Sequence, residues 1–464
     1  MPELPEVETI KRILNSFLPG KEIESVLILR EKSILSDPDE FRRLLPGRRF
    51  LPVTREGKFL LFHLTGGLVI LSHLRMEGKY FECPADFKPE KHDILIYRFT
   101  DGTGLRFNDV RKFGIIELFK EEDVHKEKPL SELGKEPFDL TPEELLKGLR
   151  RKRTEPIKEA LLDQTLISGL GNIYDDEVLF ASGVNPKREA SSITKEEAAL
   201  IIKNSRRILS EAIENGGSTI KSYHPKEGVS GNMQNRLLAY GHANEPCVRC
   251  GFPMRKIRIG GRGTTYCPHC QPLKGRPFVV GVTGPIASGK STVSAYLKNK
   301  GYTLLDADGI TASLYKESPE LREKVKAIFG PDAVTGSDIN RPYILSEIAK
   351  DPAKKKQLEA EVLPEVYLKM RLALEQMDGG KAVLDVPLLI GSPLEEECDL
   401  IISVFADEKI QKARIKARGK DPELSMALNK GWPKGAAKKA SGLVLDGNGS
   451  PEDLKKQLDA ISYL

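Results

Sequence analysis

No stretch of this chain comes near the roughly 18 consecutive apolar residues of a membrane-spanning helix, which excludes a helical transmembrane protein. Cysteine is scarce. Six in 464 residues are too few for a disulfide scaffold, and four of them form two Cys-x-x-Cys pairs. That usage fits a metal site in a reducing cytosol. Internal repeats and low-complexity tracts are missing. The opening stretch, MPELPEVETIKR, carries Glu3, Glu6 and Glu8 and no apolar segment, so it is expected to be neither a signal nor a transit peptide. What is present suits a packed, cytoplasmic chain. Hydrophobics at 39% and charged residues at 30% exclude a disordered one, and the length predicts about three domains.

Net charge is only +5, but it is unevenly spread. Residues 201–276 hold 13 Lys and Arg against 4 Asp and Glu. A basic excess beside a cysteine pair points to a polyanion; a merely solubilising surface is the alternative.

Along the chain, Val7, Ile10, Ile13, Leu14 and Phe17 recur at helical spacing, which predicts a helix over 3–18. From Ile23 to about Phe119 the pattern changes to short β-like runs such as LPVTREGKFLLFHL and DILIYRFT, separated by turn residues. These predict a mostly antiparallel sandwich or barrel. Residues 141–214 read as helices. Gln271–Pro277 has linker composition, and an apolar strand, a Gly-rich loop and a helix follow it.

Cys247-x-x-Cys250 and Cys267-x-x-Cys270 stand sixteen residues apart. Two such knuckles can close a tetrahedral tetrathiolate zinc site, which has no open position and is therefore structural. Two unrelated pairs or a redox motif are the alternatives. The residues between read as a β-hairpin turning at Gly260-Gly261 and carrying Arg255, Lys256, Arg258 and Arg262. Zinc would thus hold a basic ribbon too small to fold alone.

The N-terminal run Pro2-Glu3-Leu4-Pro5-Glu6-Val7-Glu8 closely resembles the start of formamidopyrimidine-DNA glycosylases. A collinear series extends the resemblance to about residue 271: REGK at 55–58, HLRM at 73–76, NDVRKFG at 108–114, LDQ at 162–164, GLGNIY at 169–174, GGSTIKSYHPKEG at 216–228, and the cysteine hairpin. It implies removal of oxidised purines (8-oxoguanine and formamidopyrimidines) from double-stranded DNA, followed by strand cleavage at the abasic site by β,δ-elimination. After loss of Met1, Pro2 would present a secondary amine as nucleophile, with Glu3 as general acid–base and Glu6 in support. Pro2 and Glu3 also suit a plain helix start. The resemblance assigns Met76, Arg111 and Phe113 to the space left by an extruded base. It assigns Lys58, His73, Asn172 and Arg262 to phosphates, Lys58 also to the catalytic group with Pro2 and Glu3, and Lys158 to the lesion's surroundings. The alternative within this superfamily is an enzyme for oxidised pyrimidines. Arg75 stands where the family usually has glycine, and His242 where it usually has arginine.

Phe278–Val282 reads as a buried strand running into Gly284-Pro285-Ile286-Ala287-Ser288-Gly289-Lys290-Ser291-Thr292 and a helix, a P-loop in its strand–loop–helix context. The loop amides would surround phosphates, Lys290 would reach the β/γ oxygens, and Ser291 would ligate Mg²⁺ of bound ATP. The loop residues Gly284, Ala287, Ser288, Gly289 and Thr292 are the remaining ATP candidates. Leu304-Leu305-Asp306-Ala307-Asp308, Arg341, the DVPLL run at 385–389, and Arg414 with Arg418 resemble dephospho-CoA kinases in type and order. That implies phosphorylation of the ribose 3′-hydroxyl of dephospho-CoA, with Asp308 as base and Arg414 and Arg418 in the lid. Asp306 and Asp308 also suit capping of the next helix. Leu363-Pro364 replaces the family's usual His-Pro, and residues 419–442 depart from its lid, so a non-catalytic nucleotide-binding module is the alternative.

The expected architecture is multi-domain. It has an α+β part with a β-sandwich (1–135), a helix–two-turn–helix domain (136–235) and a zinc finger (236–271). A linker (272–277) then leads to an α/β P-loop kinase domain (278–464). The expected cofactors are one structural Zn²⁺ and ATP with Mg²⁺. The expected partners are damaged DNA, ATP and dephospho-CoA, with no membrane, and the expected state is a monomer.

Overall fold

Alternation of apolar and polar residues builds the first part of the chain. The computed structural model describes residues 1–218, 232–351, 353–427, 429, 432–461 and 463–464. Helix α1 (Leu4–Asn15) starts at Pro5 in its first turn and buries Leu4, Val7, Ile10 and Leu14 on one side. Strand β1 (Ile23–Ile28) and helix α2 (Pro38–Leu44) follow. Seven more strands come next: β2 (Thr54–Glu56), β3 (Phe59–Leu64), β4 (Leu68–His73), β5 (Lys79–Pro84), β6 (Asp93–Phe99), β7 (Thr103–Asn108) and β8 (Ile115–Lys120). They form two antiparallel four-stranded sheets, ordered β1-β6-β7-β5 and β2-β3-β4-β8. Leu60, Phe62 and Ile70 from one sheet and Leu95, Tyr97 and Phe107 from the other share a single core with α1. This is the expected sandwich.

Helices α3 (Pro142–Arg151), α4 (Ile157–Leu162), α5 (Asn172–Ser182) and α6 (Lys195–Glu214) make a second core around Leu145, Leu161, Tyr174, Leu179 and Leu209. Thr141 and Thr194 cap α3 and α6 through capping boxes with Glu144 and Glu197. Strands β9 (Arg255–Ile259) and β10 (Arg262–Tyr266) form the two-stranded ribbon expected between the cysteine knuckles.

The last part alternates strand and helix. It contains β11 (Phe278–Thr283), α7 (Lys290–Asn299), β12 (Thr303–Asp306), α8 (Ala307–Glu317) and α9 (Pro319–Phe329). A small hairpin, β13 (Val334–Thr335) and β14 (Asp338–Ile339), precedes α10 (Arg341–Lys350) and α11 (Ala353–Glu375). Then come β15 (Lys381–Asp385), β16 (Leu400–Phe405), α12 (Glu408–Ala417), α13 (Pro422–Ala427), α14 (Lys434–Ala440), β17 (Leu443–Asp446) and α15 (Pro451–Asp459). The main sheet is parallel throughout, in the order β12-β15-β11-β16-β17. Its central strands are apolar on both faces, as a sheet covered by helices on each side requires.

The chain divides into two compact units. One is Met1–Gly241 with Arg258–Tyr266; the other is His242–Ile257 with Cys267–Leu464. All four paired cysteines lie in the second unit. There Phe252 packs on Phe278 and Tyr463, with ring centroids 5.7 and 4.7 Å away. The buried Arg255 guanidinium donates to the carbonyls of Glu395 (2.9 Å) and Ala440 (3.2 Å).

Candidate functional site

In the first unit, the start of α1 meets the start of α5. Helix α5 begins with unpaired backbone amides, and the Glu3 carboxylate satisfies them. It accepts from Gly171 N (2.9 Å), Ile173 N (2.9 Å) and Tyr174 N (3.3 Å). Glu6 Oε2 accepts from Glu3 N at 2.9 Å, while its Oε1 accepts from Tyr174 Oη (2.6 Å) and Ser218 N (2.7 Å). Pro2 therefore sits beside a carboxylate that is itself locked in place. Burial pushes the Glu3 carboxyl above its ordinary range, and Lys58 opposes that shift. Lys58 follows β2, donates to the Leu170 carbonyl at 2.5 Å, and is pulled below the usual lysine range by burial.

His73 ends β4, its ring edge-on to Phe59 at 4.7 Å. Its Nδ1 accepts from Arg75 N at 2.9 Å, so its proton is on Nε2. Burial, then Arg75 and Lys58, push it down to about 3, leaving a buried, neutral imidazole. Arg75 adopts φ +51°, a left-handed conformation that explains why glycine suits this position. Met76 is 41% and Phe113 54% exposed, and the Arg111 guanidinium lies 5.0 Å over the Phe113 ring. All three expected wedge residues are thus available to a ligand. The loop carrying Arg111 and Phe113 is held by Asp109, a residue not singled out in the sequence. Its buried carboxylate accepts from Arg111 N, Phe113 N and Gly114 N at 2.7–2.9 Å.

Asn172 donates from Nδ2 to Gly263 O at 2.9 Å, tying α5 to the ribbon that carries the exposed Arg262. Lys158, which the resemblance assigns to the lesion's surroundings, has a side chain with no exposed area. Its ammonium donates to Asp176 Oδ1 (2.6 Å) and Asn172 O (3.2 Å). Asp176 Oδ2 in turn accepts from Thr265 N at 2.8 Å. Glu177 accepts from Leu238 N, Ala239 N and Tyr240 N at 2.8–2.9 Å. The sequence offered one signal for these roles: three successive acids, Asp175 to Glu177, in an otherwise apolar helix. The GGSTIKSYHPKEG stretch lies mostly in residues 219–231, outside the described residues.

The four cysteine sulfurs lie within 4.8 Å of one another, with Cys247–Cys270 at 3.9 Å and Cys250–Cys267 at 3.6 Å. Four thiolates about 2.3 Å from a zinc ion at tetrahedral angles stand about 3.8 Å apart, so the donor set fits structural zinc. Arg249 N and Cys270 N each donate to a sulfur at 3.4 Å, as knuckle turns do. Cys83 and Cys398 are buried elsewhere.

In the second unit, β11 feeds the loop from Gly284 to Ser291. Ala287 (φ +60°) and Gly289 (φ +113°) are left-handed. A Cβ on Gly284 would meet Val404 O at 2.6 Å. Ser288 is fully buried, and its Oγ has no hydrogen-bond partner among the described residues. Lys290 pairs with Asp385 at the end of β15, and β12 places Asp306 in register beside Asp385. Asp306 caps α8 through Asp308 N and Gly309 N, which leaves Asp308 exposed at the first turn. Arg414 donates to Ala287 O (3.1 Å), Ser288 O (3.3 Å) and Gly449 O (2.6 Å). It therefore braces the loop from behind, and Arg418 is exposed at the end of α12. The divergent stretch after Arg418 supplies contacts of its own. Asn429 Oδ1 accepts from Ile286 N at 2.8 Å, and Trp432 Nε1 donates to Pro387 O at 2.9 Å.

Fold and site together define a DNA-glycosylase architecture of the helix–two-turn–helix type followed by a P-loop kinase architecture. The chain belongs to the formamidopyrimidine-DNA glycosylase family and carries, fused behind it, a domain of the dephospho-CoA kinase family. The family models matched are the formamidopyrimidine-DNA glycosylase N-terminal domain (residues 1–116), its H2TH domain (133–224), a zinc finger found in FPG and IleRS (244–273), and dephospho-CoA kinase (278–451). A formamidopyrimidine-DNA glycosylase of an Exiguobacterium species is 50% identical over 274 residues, 58% of this chain and 99% of its own length. One of Bacillus cereus is 48% identical over 277 residues, 59% of this chain and 99% of its own length. Lactococcus lactis Fpg in complex with DNA containing N7-benzyl-Fapy-dG is 39% identical with a TM-score of 0.55. The same protein with abasic-site DNA is 38% identical, also at 0.55; each match covers 59% of this chain and all of the other. Among the described residues, no helix is long and apolar enough to cross a membrane.

Proposed function

We propose that the chain is a cytoplasmic enzyme with two activities: excision of oxidised purines from DNA with strand cleavage, and ATP-dependent phosphorylation of dephospho-CoA. The observation that carries the first is the carboxylate of Glu3, buried and held by three amides of α5 next to Pro2. With Met1 removed, the Pro2 amine attacks the sugar C1′ while Glu3 gives its proton to the ring oxygen. The C1′–O4′ bond opens as the ring oxygen is protonated. The bond from C1′ to the damaged base then breaks, the base leaving with the amine's proton, and the iminium formed acidifies the C2′ proton. Loss of that proton expels the 3′ phosphate, and a second elimination expels the 5′ phosphate. Met76, Arg111 and Phe113 occupy the stack vacated by the lesion. The Fapy-dG DNA bound by the Lactococcus relative favours a purine lesion. His73, Asn172, Lys58 and Arg262 hold the phosphates around the flipped nucleotide.

Borohydride should trap the processed chain on a duplex with 8-oxoguanine opposite cytosine, with the adduct at Pro2. Glu3→Gln should still bind the lesion but lose excision. Full excision by a chain with a blocked N-terminus would overturn the mechanism, because an amide nitrogen cannot attack.

For the kinase, nucleotide binding exchanges the Lys290–Asp385 pair for a contact with the β/γ oxygens, and Ser291 would hold a Mg²⁺ that draws charge from the phosphates. Asp308 takes the proton of the ribose 3′-hydroxyl, whose oxygen attacks the γ-phosphorus as ADP leaves. Lys290→Ala should abolish transfer to dephospho-CoA, and Asp308→Ala should lower turnover more than ATP binding. Parental rates in both variants would overturn this assignment.

A further inference from the structure

The phosphate loop of the second unit carries strained backbone. Ala287 is left-handed at φ +60°, a conformation that a residue with a Cβ keeps only where its surroundings hold it. Pro285 has no N–H, so the Ile286 amide is the first donor of the loop after Gly284. That amide is already engaged. Asn429 Oδ1 accepts from Ile286 N at 2.8 Å. The other end of the same side chain is fixed as well, since Asn429 Nδ2 donates to Gln411 Oε1 at 3.0 Å. Gln411 is buried on α12, and its Nε2 donates to Ala406 O at 2.6 Å, just past the end of β16. An asparagine amide has one donating and one accepting end. With the donating end on Gln411, the accepting end faces the loop.

About one turn further along α12, Arg414 donates to the carbonyls of Ala287 (3.1 Å) and Ser288 (3.3 Å). The strained residue is therefore gripped on both sides: by the amide of Ile286 before it, and by the carbonyls of Ala287 and Ser288. Both grips trace back to α12. Beyond Asn429 the chain touches the loop's root too. Trp432 N donates to Asn429 O at 3.0 Å, and its indole Nε1 donates to Pro387 O at 2.9 Å. That oxygen also accepts from Thr283 Oγ1 at 2.9 Å, in the residue directly before Gly284. The stretch that departs from the family's pattern thus meets the loop at two points.

We propose that Asn429 is a positioning residue of the nucleotide site, which holds the phosphate loop in its binding shape through the Ile286 amide before ATP arrives. The proposal rests on the loop from Gly284 to Ser291 binding ATP. A loop that already has its bound shape loses less freedom when the ligand comes, and so binds it more tightly. Removing the Asn429 amide frees Ile286 N and releases one of the two grips on Ala287. The fraction of loops in the binding shape then falls, and the apparent dissociation constant rises in proportion. The transfer step, given above to Asp308, is untouched.

The test is isothermal titration calorimetry of the full chain with the non-hydrolysable analogue AMP-PNP and Mg²⁺, joined to steady-state transfer from ATP to dephospho-CoA, for the parent and for Asn429→Ala. Loss of one such hydrogen bond should weaken AMP-PNP binding and raise the KM for ATP about 3- to 10-fold. At saturating ATP, kcat should stay within about twofold. Gln411→Ala leaves the asparagine amide unanchored, so it should weaken binding in the same direction. In the Asn429→Ala background it should add less than about twofold. Unchanged affinity in Asn429→Ala would overturn the proposal, and so would fully additive effects of the two substitutions. A kcat that falls as far as KM rises would overturn it too, since that marks damage to the whole unit. If Asn429→Ala fails to fold, hydrogen exchange of the ATP-free parent decides. Ile286 N should exchange at least about 10-fold more slowly than an open-loop amide, and free exchange sinks the idea. A parent that binds no AMP-PNP would break the nucleotide-site reading itself, whereas parental binding that Asn429→Ala does not weaken breaks only the role of Asn429.

Discussion

His73 shows how far a single side chain can be moved from its ordinary behaviour. Burial holds it neutral down to about 3, while in the unfolded chain it titrates near its usual value of about 6.5. Between those limits the unfolded state binds the extra proton. Its contribution to stability is therefore complete above about 6.5 and lost as pH falls toward 3. His73→Gln should flatten the acid limb of a stability–pH curve measured by denaturant titration. An unchanged limb would place the acid sensitivity in the carboxylates instead. Two residues away, Arg75 is bent into a left-handed conformation. Arg75→Gly should relieve that strain and raise stability by up to about 1 kcal/mol, part being offset by the freer unfolded chain. A loss of more than 1 kcal/mol in a thermal melt would show that the arginine side chain has a stabilising role that outweighs the strain.

At the scale of elements, the start of α5 does most of the organising. Gly171 has room for nothing more than hydrogen, since a Cβ there would lie 2.3 Å from Glu3 Cδ. Gly171→Ala should displace Glu3 and slow excision about 100-fold, with the zinc content of the protein unchanged; parental excision would show that Glu3 need not be held there. The elements themselves were largely readable. Period-two runs from Ile23 to Phe119 became the two sheets, and the strand–loop–helix after Pro277 became β11 and α7. What could not be read is which residues meet across the fold. Asp109, Tyr174, Asp176 and Glu177 act through partners up to 168 residues away or through loop amides they cap. No local pattern encodes such a distance. Lys158 illustrates the converse: family order placed it at the site, but only the packing of α4 on α5 shows it sealed behind Asn172. The stretch after Arg418, which the resemblance makes a lid, departs from the family's pattern, yet Asn429 and Trp432 still fasten it to Ile286 and Pro387.

For the molecule as a whole, the cysteine knuckles belong to the same compact unit as the parallel sheet. Arg255, with its guanidinium buried on two carbonyls, fixes one of them there. Arg255→Ala leaves both carbonyls without that donor and should cost the second unit about 2 to 4 kcal/mol. Stripping zinc with a chelator should likewise lower the melting temperature of that unit, read by calorimetry; a transition indifferent to both treatments would mean that the knuckle is a passenger. On the DNA side, the neutrality of His73 has a consequence for ions in solution. A neutral imidazole on a phosphate displaces no condensed cation, and neither does the amide of Asn172. Of the four phosphate contacts proposed for His73, Asn172, Lys58 and Arg262, only Lys58 and Arg262 bring charge, so together they should account for a slope of about −1.8 in log affinity against log salt. Replacing His73 with glutamine should weaken binding at every salt concentration while leaving that slope untouched, whereas removing the Arg262 charge should make it shallower by about 0.9. If the proposed contacts form, counting displaced ions would understate how many phosphates are held.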